Sequence, residues 1–276
     1  MAYSLRIASR RALWTSIALC FFAFVPAFIP SAFSVEEQAT ARIQPRIRAF
    51  HPGETLKYDV SWSDIVTAGT AVLEVKEGKL PDGRNVLMFI LSGRSAGVVD
   101  QFFRVNDTVK SVFDPKTMQS LSYKLDENYG KKKRRRELIF DHERKRVVSK
   151  LNDDPPETFD VPEQAMDALS SLYYLRTKED FTIGKPMYIE VHDGGKNWSV
   201  EVQTLGREKV KTRAGEFATI KVRTYPRHEG VFMNKGVAFL WLTDDGRRIP
   251  VLMKSTLKVG SFVFSLTDMK PGNGLH

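Results

Sequence analysis

The chain has 276 residues, with 42 Lys and Arg against 33 Asp and Glu, and one cysteine, Cys20. A formal charge of +9 is basic without being extreme, so it does not by itself call for a polyanionic partner. A single cysteine excludes a disulfide framework within the chain, and core burial must supply the stability instead.

Residues 1–34 read as a signal peptide. Arg6, Arg10 and Arg11 form the positive start, residues 12–30 carry no charge, and Ala32-Phe33-Ser34 sets small residues at the −3 and −1 positions of a cleavage site. Ser9-Arg10-Arg11-Ala12-Leu13 partly resembles a twin-arginine signal. The alternative is an uncleaved anchor, because an apolar run of this length nearly spans a bilayer. Pro26, Pro30 and the small residues after them favour cleavage after Ser34. Cys20, between Leu19 and Phe21, lacks the setting of a lipidated cysteine. Cleavage removes three arginines and no acid, so the charge falls from +9 to +6 over 242 remaining residues. That length can bury a core. The expected destination is an exported compartment, which offers no nucleic acid; its plausible polyanions are lipid head groups and envelope polysaccharides.

Residues 35–49 are polar and aperiodic, a flexible leader. A β-rich domain is expected over 50–270. Leu56, Tyr58, Val60 and Trp62 alternate on one strand face, 70–75 forms its partner, and Pro81-Asp82-Gly83 turns into an apolar strand at 85–91. Phe103, Val105, Val109 and Val112 then mark a strand pair, and Leu121, Tyr123, Leu125, Leu138 and Phe140 a long hairpin. The period changes after Pro162. Met166, Leu169, Leu172 and Tyr173 fall at helical spacing, which predicts a helix over 162–178 with Asp160 or Val161 at its N-cap. Strands resume at 187–192, 198–205, 208–212 and 218–225. Residues 236–266 close the chain as two or three apolar strands around the turn Thr243-Asp244-Asp245-Gly246.

This order is mainly β, and it is not an alternating β-α-β pattern. It predicts a bent or half-closed antiparallel sheet or barrel with one helix on one face. A two-lobed version divides near 155–180.

The chemical signals are sparse. Gly93-Arg94-Ser95-Ala96-Gly97 matches the nucleophile-elbow pattern, making Ser95 the candidate catalytic residue of a hydrolase, with His192 and His228 downstream. Residues 98–105 read as strand, however, where the elbow needs a helix. The histidines have no metal-ligand spacing and no phosphate loop precedes a helix, so neither a metal nor a cofactor is expected. The basic run Lys131, Lys132, Lys133, Arg134, Arg135 and Arg136 reads as a solvated hairpin end able to hold anionic lipid, or as protection of a sheet edge. Trp62, Phe102, Phe103, Leu169, Tyr173, Phe239 and Trp241 are the candidate lining of an apolar binding site, each of which could equally be ordinary core.

Pro52-Gly53-Glu54-Thr55-Leu56-Lys57-Tyr58-Asp59-Val60-Ser61-Trp62 with Ala68-Gly69-Thr70-Ala71 resembles the opening of domain-of-unknown-function family 3108, exported proteins of Gram-negative bacteria. Blocks at 167–176, at 210–217, at 241–245 and at 248–251 continue the resemblance from about Phe50 to Leu266. It implies a periplasmic β-rich domain and no agreed activity. The closing hairpin also looks like the periplasmic lipoprotein-carrier fold, a half-open barrel with a helical lid over an apolar cavity. The expected function is therefore non-enzymatic binding of a hydrophobic or amphipathic envelope ligand. The alternatives are a serine hydrolase using Ser95 and a structural or protein-interaction module of the envelope.

Overall fold

Among the described residues every strand pairs antiparallel, and all fifteen strands belong to one sheet. The computed structural model describes residues 49–63, 65–97, 100, 104–129, 132–228, 231–232, 237–257 and 260–273. The residues read as a signal peptide and most of those read as a leader lie outside the described residues, as do Phe102, Phe103 and Lys131. The first half holds β1 (Thr55–Trp62), β2 (Val66–Lys79), β3 (Asn85–Ser95), β4 (Asn106–Asp114), β5 (Gln119–Tyr129), β6 (Lys132–Asp141), β7 (Arg146–Leu151) and β8 (Glu157–Asp160). The helix α1 (Ala168–Arg176) separates them from β9 (Met187–Asp193), β10 (Lys196–Thr212), β11 (Gly215–His228), β12 (Val231–Phe232), β13 (Ala238–Thr243), β14 (Pro250–Leu257) and β15 (Gly260–Lys270).

The sheet runs β8-β7-β6-β5-β4-β3-β2-β1-β15-β14-β13-β11-β10-β9, with β12 beside β11. The strands before and after the helix thus share one sheet, joined where the last strand, β15, pairs with the first, β1. Register shifts in five of these pairings, at Tyr58, Ser61, Phe113, Gly206 and Leu242 or their neighbours, bend and twist the strands. Such bending is what lets so long a sheet curl. At Gly206 the shift joins what the sequence reads as two strands, 198–205 and 208–212, into the single β10.

Among the described residues no ladder closes the sheet into a hydrogen-bonded barrel. Its end strands, β8 and β9, meet at a seam held by other means. Met166 makes an isolated parallel bridge to Val191, donating its amide to Glu190 at 2.9 Å and accepting from His192 at 2.8 Å. Phe159 on β8 lies 5.4 Å from the His192 ring, and Asn197 Nδ2 donates to the Asp160 carbonyl at 2.7 Å.

The helix is shorter than its sequence predicts and starts six residues later. Its N-cap is Asp167, whose Oδ1 accepts the Leu169 and Ser170 amides at 2.9 Å each. The other oxygen accepts from Ser111 Oγ at 2.6 Å, and the Asp167 amide donates to Ser120 Oγ at 3.1 Å. Residues 162–165 instead form a turn, with the Ala165 amide donating to the Pro162 carbonyl at 3.0 Å, and Met166 bridges to β9, so Pro162 opens no helix. At the other end Arg176 meets Glu54 through two contacts of 2.6 and 2.8 Å and caps the Ala49 and Arg247 carbonyls. Helix side chains also enter the core: Tyr173 stacks on Phe89 with centroids 3.8 Å apart and stands edge-on to Phe50.

Candidate functional site

Inside the curled sheet lies an apolar cavity of about 140 Å³. Strand alternation builds its wall: with period two, one face of each strand supplies every inward side chain. Leu73, Leu91, Val109 and Leu125 form one cross-strand row across β2 to β5, and the first three of them line the cavity. Ile189, Val200, Val202 and Leu240 line it from the second half of the sheet. Ala168, Leu169, Ser171, Leu172 and Leu175 of α1 complete the wall.

Few polar atoms face this space. Tyr58 presents its ring and turns its hydroxyl to the Pro250 carbonyl at 2.9 Å. Burial pushes that phenol well above its ordinary pKa, so it stays neutral. Thr224 Oγ1 donates to the Ala238 carbonyl at 3.3 Å. Ser255, also in the wall, has a buried hydroxyl with no partner among the described residues.

Of the aromatic and aliphatic residues predicted to line a site, Leu169 is in this wall. Tyr173 lies beside it in the core, fully buried among Phe50, Phe89 and the Arg176 guanidinium. Trp62 packs edge-on against Phe262, 4.7 Å away. Its ring lies so close to Gly260 that a Cβ there would come within 2.6 Å, and with φ at +102° only glycine suits that position. Phe239 and Trp241 alternate with Ala238 and Leu240, so they occupy the other face of β13. Trp241 donates its indole N–H to Glu208 on β10 beneath the Lys221 ammonium, and the Arg223 guanidinium sits 5.3 Å from Phe239. Phe102 and Phe103 lie outside the described residues. The wall is mainly aliphatic, so aromatic residues do not mark it in the sequence; the alternation of Leu240 against Trp241 is the signal that separates inside from outside.

The basic run also differs from its prediction. The run starts at the end of the β5–β6 hairpin, where Tyr129 pairs with Lys132, and Lys132 to Arg136 then continue along β6, where period two sorts them. Arg134 pairs with buried Glu127 at 3.3 Å, and Arg136, itself buried, with Asp193 at 3.0 Å. Arg135, on the outer face, pairs with Asp126 at 2.8 Å, and Lys133 is exposed. The side chain of Lys132 and all of Lys131 lie outside the described residues.

Ser95 ends β3. Its hydroxyl donates to Asp100 Oδ1 at 2.5 Å and accepts the Val105 amide at 2.8 Å. His192 and His228 both bond to Asn197, at 2.8 Å each. Among the described residues no group of three or more His, Cys, Asp or Glu could hold a metal ion, and no helix is long and apolar enough to cross a membrane.

A polar layer adjoins the cavity. Pairing sets Ala71, Gly93 and Asp107 in one row, and one step beyond the Thr108–Asp126 pair Glu127 stands opposite Asp107, with Arg134 next. Asp107 is 7% exposed and accepts the Asn128 amide at 2.8 Å. Burial pushes its carboxyl up to about 7, and the Glu127 charge adds to the shift.

Curled antiparallel strands around an apolar interior define a barrel-like β-protein. The family described as "Protein of unknown function (DUF3108)" matches residues 57–267, and the chain belongs to it. No curated protein matches. Among solved structures, the chain is similar to a beta-barrel-like protein of domain of unknown function DUF1849 from Brucella abortus. That match has TM-score 0.56 and 12% identity, over 82% of this chain and 100% of the other. It shows the barrel-like fold. A candidate lipoprotein from Parabacteroides distasonis aligns at TM-score 0.37 and 12% identity, over 80% of this chain and 97% of the other. A candidate exported protein of Bacteroides fragilis with a YmcC-like fold aligns at TM-score 0.32 and 13% identity, over 80% and 98%.

Proposed function

We propose that this is a non-enzymatic, periplasmic binding protein that holds the apolar part of an envelope ligand between sheet and helix. The observation that carries the reading is the apolar cavity, lined by eleven strands and by α1. Export is supported by the N-terminal sequence: three arginines, an uncharged run and a small-residue site ending at Ser34. The contacts of Ser95 also favour binding over hydrolysis, since its hydroxyl is engaged by Asp100 and the Val105 amide rather than by an imidazole. As it stands, about 140 Å³ holds a short alkyl segment or one small ring, by comparison with engineered apolar cavities of about 150 Å³ that take benzene. A whole lipid, lipoprotein or lipopolysaccharide would place one such segment here and the remainder outside.

Native mass spectrometry of protein taken from its own periplasm tests this directly. The expected result is an apolar or amphipathic molecule that leaves on denaturation. Ala71→Leu together with Ala238→Leu fills the wall from two sides and should abolish its retention. Protein at its bare mass, with no uptake of a neutral apolar dye, would overturn the reading.

A further inference from the structure

The row Ala71, Gly93, Asp107, Glu127, Arg134 leads from the apolar wall to charge. Ala71 lines the cavity, and so do Leu91 and Val109, the inward neighbours of Gly93 and Asp107 two residues along their strands. Two residues along a strand is about 7 Å, so the Asp107 carboxylate stands one side-chain step from the apolar wall. Gly93 between them is buried, yet a Cβ built on it meets no heavy atom of the described residues within 4 Å. Among the described residues, then, nothing fills the place over Gly93, which has an alanine on one side and a carboxylate on the other. Among the described residues no cation pairs with Asp107; Arg134 pairs with Glu127, and Arg136 with Asp193.

We propose that the space over Gly93 is a head-group subsite for a primary alkylammonium, with its hydrocarbon tail in the apolar cavity. This rests on the binding reading above and names the chemical class of the ligand. An ammonium carries three N–H donors and no acceptor, which suits two facing carboxylates, Asp107 and Glu127, better than it suits a hydroxyl or an acid. A buried cation is tolerated only when paired, and Asp107 supplies that pair. A ligand carboxylate would instead add a third like charge to the row.

Isothermal titration of the full mature protein with n-hexylamine, 1-hexanol and hexanoate at neutral pH separates the parts. Hexylamine should bind at least tenfold more tightly than 1-hexanol, and hexanoate most weakly. Asp107→Asn keeps an acceptor for the Asn128 amide and should bring hexylamine down to the level of 1-hexanol, which itself stays unchanged. Gly93→Val closes the space and should remove the amine preference by a second route. Equal binding of the amine and the alcohol, or an amine preference that survives Asp107→Asn, would sink the subsite and leave the cavity reading standing. Failure of all three hexyl compounds to bind would overturn both.

Discussion

At the scale of single residues, the interior holds paired charges that the sequence, with its simple basic surplus, does not reveal. Arg176 is 1% exposed, and its guanidinium is held by the Glu54 carboxylate, two backbone carbonyls and the faces of Phe50 and Tyr173. Removing one partner leaves a buried charge uncompensated, which costs about 3–5 kcal/mol, whereas replacing both by apolar residues costs far less. Glu54→Gln should therefore destabilise the protein by about 3 kcal/mol or more in urea unfolding, and Glu54→Leu with Arg176→Met by less than that single change. A single-variant cost below about 1 kcal/mol would show that the pair is not a desolvated one. Neither residue stands out in the sequence. Glu54 follows a turn and Arg176 ends a helical stripe, and 122 positions separate them.

At the scale of elements, strands follow their sequence more faithfully than the helix does. Alternation over 56–62 and 70–75 appears directly as β1 and β2, because a strand's side-chain period is set by its own backbone. The helix start is decided elsewhere. Pro162 and the apolar spacing suit an early N-cap, but Met166 is drawn into a bridge with Val191 and Asp167 into a network with Ser111 and Ser120. Asp167→Ala removes a cap and leaves buried hydroxyl groups short of partners, at about 2–4 kcal/mol in total. Asp160→Ala at the expected cap removes only an exposed contact with Arg146 and should cost no more than about 0.5 kcal/mol. Thermal unfolding of the two variants decides the matter; equal losses would return the cap to Asp160.

At the scale of the whole molecule, the weakest line is the seam between β8 and β9, where side chains and one bridge do the work of a ladder. His192 sits in it, its Nδ1 bonded to Asn197 and its Nε2 buried without a partner among the described residues. Burial holds its pKa below the ordinary histidine value, while nearby Asp193 opposes that shift and Arg136 reinforces it. The unfolded chain therefore binds this proton more readily than the folded one. Stability on this account is full above about pH 6.5 and is lost as the pH falls from there toward the folded value. Replacing the group by His192→Gln should flatten that part of the profile, so that unfolding temperatures of the two proteins diverge between pH 7 and pH 5. Parallel profiles would show that the imidazole is not held neutral in the seam. The sequence by itself determined what is local: the turn positions, the two-residue period of the strands and the family blocks from 57 onward. Only the tertiary structure decided which of two apolar faces looks inward, why Leu240 and not Trp241 meets the cavity, and why a run of basic residues became paired strand positions. Those outcomes depend on how the sheet curls, on which strands end up opposite one another and on which charges then lose their water, and none of that is contained in the spacing of neighbouring residues.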